Sequence, residues 1–283
     1  MKRLFNKKIL LALGVLLGLS GCMAQDFIIS LETPWLPDMW SGSNSWFEAL
    51  FVYPLAQAVN FLTPLVTVTG AIILVTLFVK VLTFGLTVKS TVASQKMQFI
   101  NPELQKIQAK YAGKTDNESK MKMSQEMNGL YAKHGINPFA AIGTMFIQFP
   151  VIIAMYQAVQ HAEAVKNSSL FGYALSNSPQ QAITDGQWLF VAIFVFMGVM
   201  QFLSMKLPTW LANKRKKKQP VRLGEKEVKG PNTDMMMYTS MGMILVFAFS
   251  WPTAMSLYWL VSSAGQAIQT LYIQKKYIDP EVN

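Results

Sequence analysis

The chain has 283 residues, 52% of them hydrophobic and only 14% charged, and a formal net charge of +10. That balance excludes an ordinary water-soluble domain, and several apolar stretches are long enough to cross a bilayer. The positive charge alone does not choose among nucleic acid, anionic lipid and an acidic partner, so its placement along the chain has to decide.

The N-terminus, MKRLFNKKILLALGVLLGLSGC, sets Lys2, Arg3, Lys7 and Lys8 before a short apolar core ending in Leu19-Ser20-Gly21-Cys22. This is the arrangement of a cleavable signal over residues 1–22. Cys22 is the sole cysteine and can form no internal disulfide. The Leu-Ser-Gly-Cys ending resembles a bacterial lipoprotein box, in which the cysteine is lipidated and becomes the mature N-terminus. An uncleaved anchor with a chance cysteine is the alternative, and it adds a span.

Residues 23–60 contain Asp26, Glu32, Asp38 and Glu48 but no Lys or Arg, as suits an outer-face segment. Within it, Phe47, Leu50, Phe51 and Leu55 recur at helical spacing with Trp46 beside them, which predicts an amphipathic helix on the outer surface. An N-terminal extension of the first span, kinked at Pro54 or Pro64, fits the same residues.

The first span covers residues 61–88 and carries Lys80. Taken from Pro64 to Lys89, a rise of about 1.5 Å per residue sets Lys80 roughly 24 Å from the outer end and roughly 13 Å from the inner one. That is beyond the reach of a lysine stem, and apolar residues continue to Val88. Facing lipid, the ammonium would cost on the order of 2.5–3.5 kcal/mol, so it is expected to face a bundle interior or a wet cavity. The alternative is a span that ends at Lys80 with Val81 to Val88 along the surface, although residues 65–79 alone are short for crossing.

Residues 89–137 predict a helical hairpin. Asn101-Pro102-Glu103 offers an N-cap, a proline at the first helical position and an acid in the first turn, with Leu104, Ile107 and Tyr111 on one face. After the turn AGKTDN, a second helix starts near Asn117-Glu118, carries Met123, Met127, Leu130 and His134 in one stripe, and stops at Gly135. In the plainer reading the stripe is internal packing. Its methionines also offer an adaptable contact face, because so thin a pair hides little apolar surface.

Four more apolar stretches follow, at 138–162, 187–206, 234–250 and 254–273, for five spans in all. The segment 89–137 is rich in lysine, as is the loop 207–233, with Lys214, Arg215, Lys216, Lys217 and Lys218 in succession. The intervening segment 163–186 offers only Lys166, and the tail 274–283 carries Lys275 and Lys276. Both basic loops and the tail are therefore expected in the cytoplasm, and the net charge is mostly topology. The second span contains Gln148 and Tyr156, the third Gln201, and the fifth Tyr258, Trp259 and Gln266. Glutamines in spans often bond a neighbouring helix and aromatic residues often mark an interface. Beside an intramembrane lysine, one amide per helix points to a shared polar cavity.

Enzyme signatures are weak. SKMK at 119–122 and GKT at 113–115 lack companion motifs and an upstream glycine, His134 and His161 fall in different elements, and no metal site is expected. A small-solute transporter or channel with a charged midplane site is the serious alternative, although no inverted repeat is found.

KSTVASQKMQFINPELQKIQAKYAGK, then KMSQEMNGLYAKHGINPFAAIGTMFIQFPVIIAMYQAV, then LYWLVSSAGQAIQ, together with the lipoprotein signal, resemble the YidC/Oxa/Alb membrane protein insertase family in its Gram-positive, lipoprotein-type form. The resemblance covers most of residues 60–273. It implies an all-α integral membrane protein, with five transmembrane helices around a polar groove and a cytoplasmic antiparallel helical hairpin. The groove that the resemblance implies is open to cytoplasm and lipid and closed outside. The activity implied is insertion and folding of nascent membrane proteins without turnover chemistry, nucleotide or cofactor, alone or with the Sec translocon. Lys80 stands where the family usually has an arginine. Gln148 and Gln201 match groove-facing positions, and Tyr258 and Trp259 lie in the LYW motif. Lysine keeps the charge but loses the planar fork that grips a carboxylate at two points. Ser263 stands where an asparagine is common.

The hairpin with Met123, Met127 and Leu130 would receive the incoming chain, and Lys214 to Lys218 would meet ribosomal RNA or anionic lipid. The expected location is the bacterial plasma membrane, with a lipid anchor outside, the C-terminus inside and no DNA partner.

Overall fold

A computed structural model describes residues 28–33, 46–216 and 233–279. The signal segment with Cys22, and Lys217 and Lys218 of the basic loop, lie outside the described residues. The chain divides into two compact units, Met1–Val75 with Val151–Asn177, and Thr76–Pro150 with Ser178–Asn283.

The described residues are almost wholly helical. A π-helical turn at Glu48–Val52 leads into α1, Tyr53–Lys110. Then come α2 at Asn117–Lys133, α3 at Pro138–His161 and the short α4 at Glu163–Lys166. A two-residue hairpin pairs β1, Ser169–Leu170, with β2, Tyr173–Ala174. After it follow α5 at Pro179–Thr184, α6 at Trp188–Lys216, α7 at Thr233–Ser250 and α8 at Thr253–Ile273, with a last π-helical turn at Gln274–Ile278.

Within the first unit, α1 is broken at Thr67, whose φ of 71° and ψ of 161° are non-helical. Pro64 lacks the N–H that would bond the preceding turn. The Thr67 hydroxyl accepts from Gly70 N at 3.4 Å and so starts the helix again as an N-cap would. Ahead of the break, Phe47 is buried while Trp46, Leu50 and Phe51 are exposed. Residues 28–33 are fastened along this helix. Ile29 N donates to His161 O at 2.7 Å, and Glu163 N donates to Ile29 O at 3.0 Å. Asn60, itself buried, donates to Ile29 O at 2.6 Å and accepts from Ala164 N at 3.0 Å. Gln57 donates to Ser30 O at 2.7 Å, and the Tyr53 hydroxyl donates to Thr33 O. Sequence periodicity says nothing of this strap, because its bonds run through backbone groups.

In the second unit, α1 continues through Asn101 and Pro102 to Lys110 without a break. The expected helix start at Asn101 is thus corrected: the Asn-Pro-Glu signature is overridden by the apolar face on both sides of it, where Met97, Ile100, Leu104 and Ile107 all join one cluster. The second helix does begin at a cap, the Asp116 side chain accepting from Ser119 N at 2.7 Å, and Gly135 at φ +60° follows its end. Leu130, Ile136, Met127 and Tyr131 complete the cluster.

The helices expose many large apolar side chains and bury a set of polar ones among their apolar core, unlike a water-soluble protein. On α1, Phe78, Val81, Leu82 and Leu86 are 65–76% exposed, while Thr76, Thr87, Ser90, Thr91 and Gln95 are buried. On α6, Val195, Phe196, Val199 and Leu203 are exposed and Ser204 is buried. The described residues include helices long and apolar enough to cross a membrane at Glu48–Gln98 and Trp188–Lys214, and a shorter apolar helix at Met237–Ser250. This is an all-α membrane protein.

Candidate functional site

A series of polar side chains of the second unit, most of them buried, lines one face of α8. Residues three and four apart on a helix share a face, and along α8 that face carries Tyr258, Ser262, Ser263, Gln266, Gln269 and Thr270. Near the start of the helix, Tyr258 is 1% exposed and its hydroxyl accepts from Gln148 Nε2 of α3 at 3.2 Å. Trp259 is buried and stacks on Trp251, with ring centroids 5.3 Å apart and planes 7° from parallel. Close to one turn on, the Ser263 hydroxyl donates to Gln201 Oε1 of α6. Then Gln266 Oε1 accepts from Lys80 Nζ of α1 at a long 3.4 Å. A further turn on, Gln269 Nε2 donates to Thr87 Oγ1 at 2.9 Å, and Gln95 Nε2 donates to Thr270 O at 3.3 Å.

The α1 side of this seam can be polar and buried because its hydroxyls return to their own helix. Thr83, Thr87 and Ser90 donate to the carbonyls of Val79, Thr83 and Thr87 at 2.8, 3.0 and 2.9 Å. Thr91 Oγ1 and Gln95 Oε1, by contrast, are buried without a hydrogen-bond partner among the described residues.

Lys80 is half-buried and has no carboxylate within ion-pair distance among the described residues. An ammonium with three donors and one long amide contact keeps two donors and its whole charge for another group.

Of the side chains expected to line a shared cavity, Lys80, Gln148, Gln201, Tyr258 and Trp259 all contribute to this unit, each but Trp259 through a polar bond to or from α8. Tyr156 is placed in the first unit, where its hydroxyl accepts from Gln160 at 2.7 Å. Thr87, Gln95, Gln269 and Thr270 were not expected. The repeat of polar residues every three or four positions in YWLVSSAGQAIQT was the available signal. Of the hairpin stripe, Leu130 and Met127 are taken up in the α1–α2 cluster, while Met123 is half-buried and Met121 is exposed. Lys214 is exposed, with its ammonium 5.2 Å over the Trp210 ring. Arg215 and Lys216 end α6 with side chains outside the described residues, as are Lys217, Lys218 and Cys22 altogether.

Between the end of α1 and the middle of α2, Glu126 Oε1 accepts from Lys110 Nζ at 2.6 Å and from the Tyr111 hydroxyl at 2.8 Å. These bonds, the lysine's first, hold the Glu126 carboxyl below its usual range, and the same bond raises Lys110.

A family model described as "60Kd inner membrane protein" matches residues 61–280. The chain is 29% identical over 277 residues to a protein named "Membrane protein insertase MisCA" from Bacillus subtilis (strain 168), covering 95% of this chain and 92% of that one. It is 31% identical over 265 residues to "Membrane protein insertase YidC" from Oceanobacillus iheyensis, covering 91% of each. With "Membrane protein insertase YidC 1" of Streptococcus pyogenes serotype M3 it shares 31% identity over 236 residues, 83% of this chain and 76% of that one.

Proposed function

The chain belongs to the 60Kd inner membrane protein family, and from that membership we infer that it is a membrane protein insertase acting on nascent membrane proteins. It is not an enzyme: insertion moves a segment between environments and makes or breaks no bond. The observation that carries the mechanism is the polar face of α8 with an uncompensated ammonium beside it, inside helices whose outer surfaces are apolar.

Five spans are proposed, in the middle of α1 and in α3, α6, α7 and α8, with the last part of α1 and α2 pairing in the cytoplasm as an antiparallel hairpin. The helix ahead of Thr67 lies at the outer surface, and Cys22 bears a lipid anchor there. Water entering from the cytoplasm reaches the seam, where it would pair with Thr91 Oγ1 and Gln95 Oε1; leaving either buried and unpaired costs about 1–3 kcal/mol. Such a hydrated groove lowers the desolvation penalty of a client's polar tail, and Lys80 attracts carboxylates in it. The client's apolar segment then leaves sideways into lipid, driven by its own burial. On the hairpin, Met123 and the neighbouring Met121 form the receiving face, since Leu130 and Met127 are engaged in packing. Lys214 to Lys218 contact the ribosome or anionic lipid, and insertion proceeds alone or with the Sec translocon as partner.

The test is reconstitution. Vesicles holding the purified chain should render a single-span client protease-protected in the spanning pattern, while protein-free vesicles should not. Equal protection in both would sink the insertase reading.

A further inference from the structure

Two neighbouring residues of α8 hold Lys80. Its stem runs along Gly265, where an added Cβ would stand 3.6 Å from Lys80 Cγ, 3.8 Å from Cδ and 4.0 Å from Cε. Those are contact distances, so the glycine leaves a shelf that any side chain longer than alanine would take from the lysine. One residue on, Gln266 Oε1 accepts from the ammonium at 3.4 Å. An amide oxygen carries a partial charge only, so it orients a cation without neutralising it.

The surrounding sequence leaves the charge bare. Neither α3, α6 nor α8 contains an Asp or Glu, α1 contains none before Glu103, and α7 has only Asp234 at its start. A carboxylate at position 266 would be the ideal partner for burying Lys80, since it would bring a full negative charge beside the ammonium where the amide offers only a dipole. The chain places an amide there instead, which keeps the geometry and forgoes the ion pair.

We propose that Gln266 is a specificity-determining residue of the groove: its amide oxygen holds the Lys80 ammonium on the α8 face while leaving the charge unpaired, which reserves the site for client segments that bear carboxylates. This rests on the insertase reading above. In that arrangement the client supplies the counter-ion that the helices lack. The carboxylate takes the two ammonium donors that Gln266 does not use, and among the described residues no carboxylate competes for them. Gln266 thus acts on clients through Lys80, as a positioning residue.

The experiment uses the full chain in vesicles and two single-span clients that differ only in the outer tail, one with two aspartates and one with two asparagines. Gln266→Glu keeps an acceptor in place and adds the missing counter-ion. It should lower insertion of the aspartate client about tenfold, as Lys80→Ala should, and leave the asparagine client within about twofold of wild type. The asparagine client serves as the control for folding. If Gln266→Glu inserts the aspartate client at the wild-type rate while Lys80→Ala does not, Gln266 has no part in specificity although the groove charge stands. Equal loss of both clients assigns Gln266 a packing role and overturns the proposal. Failure of the wild-type chain to insert either client removes the insertase reading itself, and this inference with it.

Discussion

Tyr258 and Gln148 show what a buried polar pair does between helices. Gln148 Nε2 donates to the Tyr258 hydroxyl at 3.2 Å in surroundings where Tyr258 is 1% exposed. Tyr258→Phe strips the acceptor from Gln148 and should destabilise the protein by about 1 kcal/mol, read as a fall of ~2–4 °C in Tm in detergent. An unchanged Tm would mean that the Gln148 amide finds another partner at no cost. Gly143 is the steric counterpart. A Cβ there would come within 3.2 Å of Ser90 Cβ, a tight approach between α3 and α1. Small residues let membrane helices approach closely, so Gly143→Leu should separate the two helices and lower Tm more than Tyr258→Phe does. Lys80 was legible from the sequence because one charge in an apolar run is conspicuous. Its partner Gln266 was visible only as one amide among several, since which glutamine faces which helix depends on packing that periodicity does not encode.

Helix ends near the hairpin were legible where capping chemistry is local, at Asp116 with Ser119 and at Gly135. Asn101-Pro102 misled, because a proline's local preference was outweighed by an apolar face that continues through it. A kink at Pro64 was one of the two readings of this segment, but its place at Thr67 and the strap at 28–33 lay beyond reach, because they depend on a single backbone angle and on bonds between segments. The hairpin's turn makes a pH prediction. Glu126 is held below its usual range by Lys110 and Tyr111. A carboxyl whose folded value is depressed stabilises the fold above the unfolded value, near 4.5, and loses that contribution as pH falls through the folded one. Amide hydrogen-exchange protection across residues 100–134, corrected for intrinsic rates, should therefore drop as the pH is taken below about 4.5. In Glu126→Gln the drop should be smaller, and an identical profile in the variant would show that the turn does not depend on this pair.

At the scale of the whole molecule, composition and the alternation of basic and non-basic loops announced a membrane protein, and the outward apolar surfaces of α1 and α6 agree with that. Orientation is open to a direct check. In a Cys22→Ser background, a cysteine at the exposed Phe171 should react with an impermeant maleimide added to intact cells, and one at Lys114 should react only after lysis. The reverse pattern would invert the proposed topology. That polar residues of several helices would share a cavity was legible; what the sequence could not convey is that they line up along one face of α8 and which pairs with which, because that is a property of packing.

The central claim is that the unpaired charge on this face draws acidic client segments into the bilayer. The measurement that bears on it most directly is insertion of a single-span client with an acidic outer tail into vesicles holding wild type, Lys80→Ala or Lys80→Arg. The account predicts that alanine loses insertion and arginine retains it. Insertion by the alanine variant at the wild-type rate would contradict it.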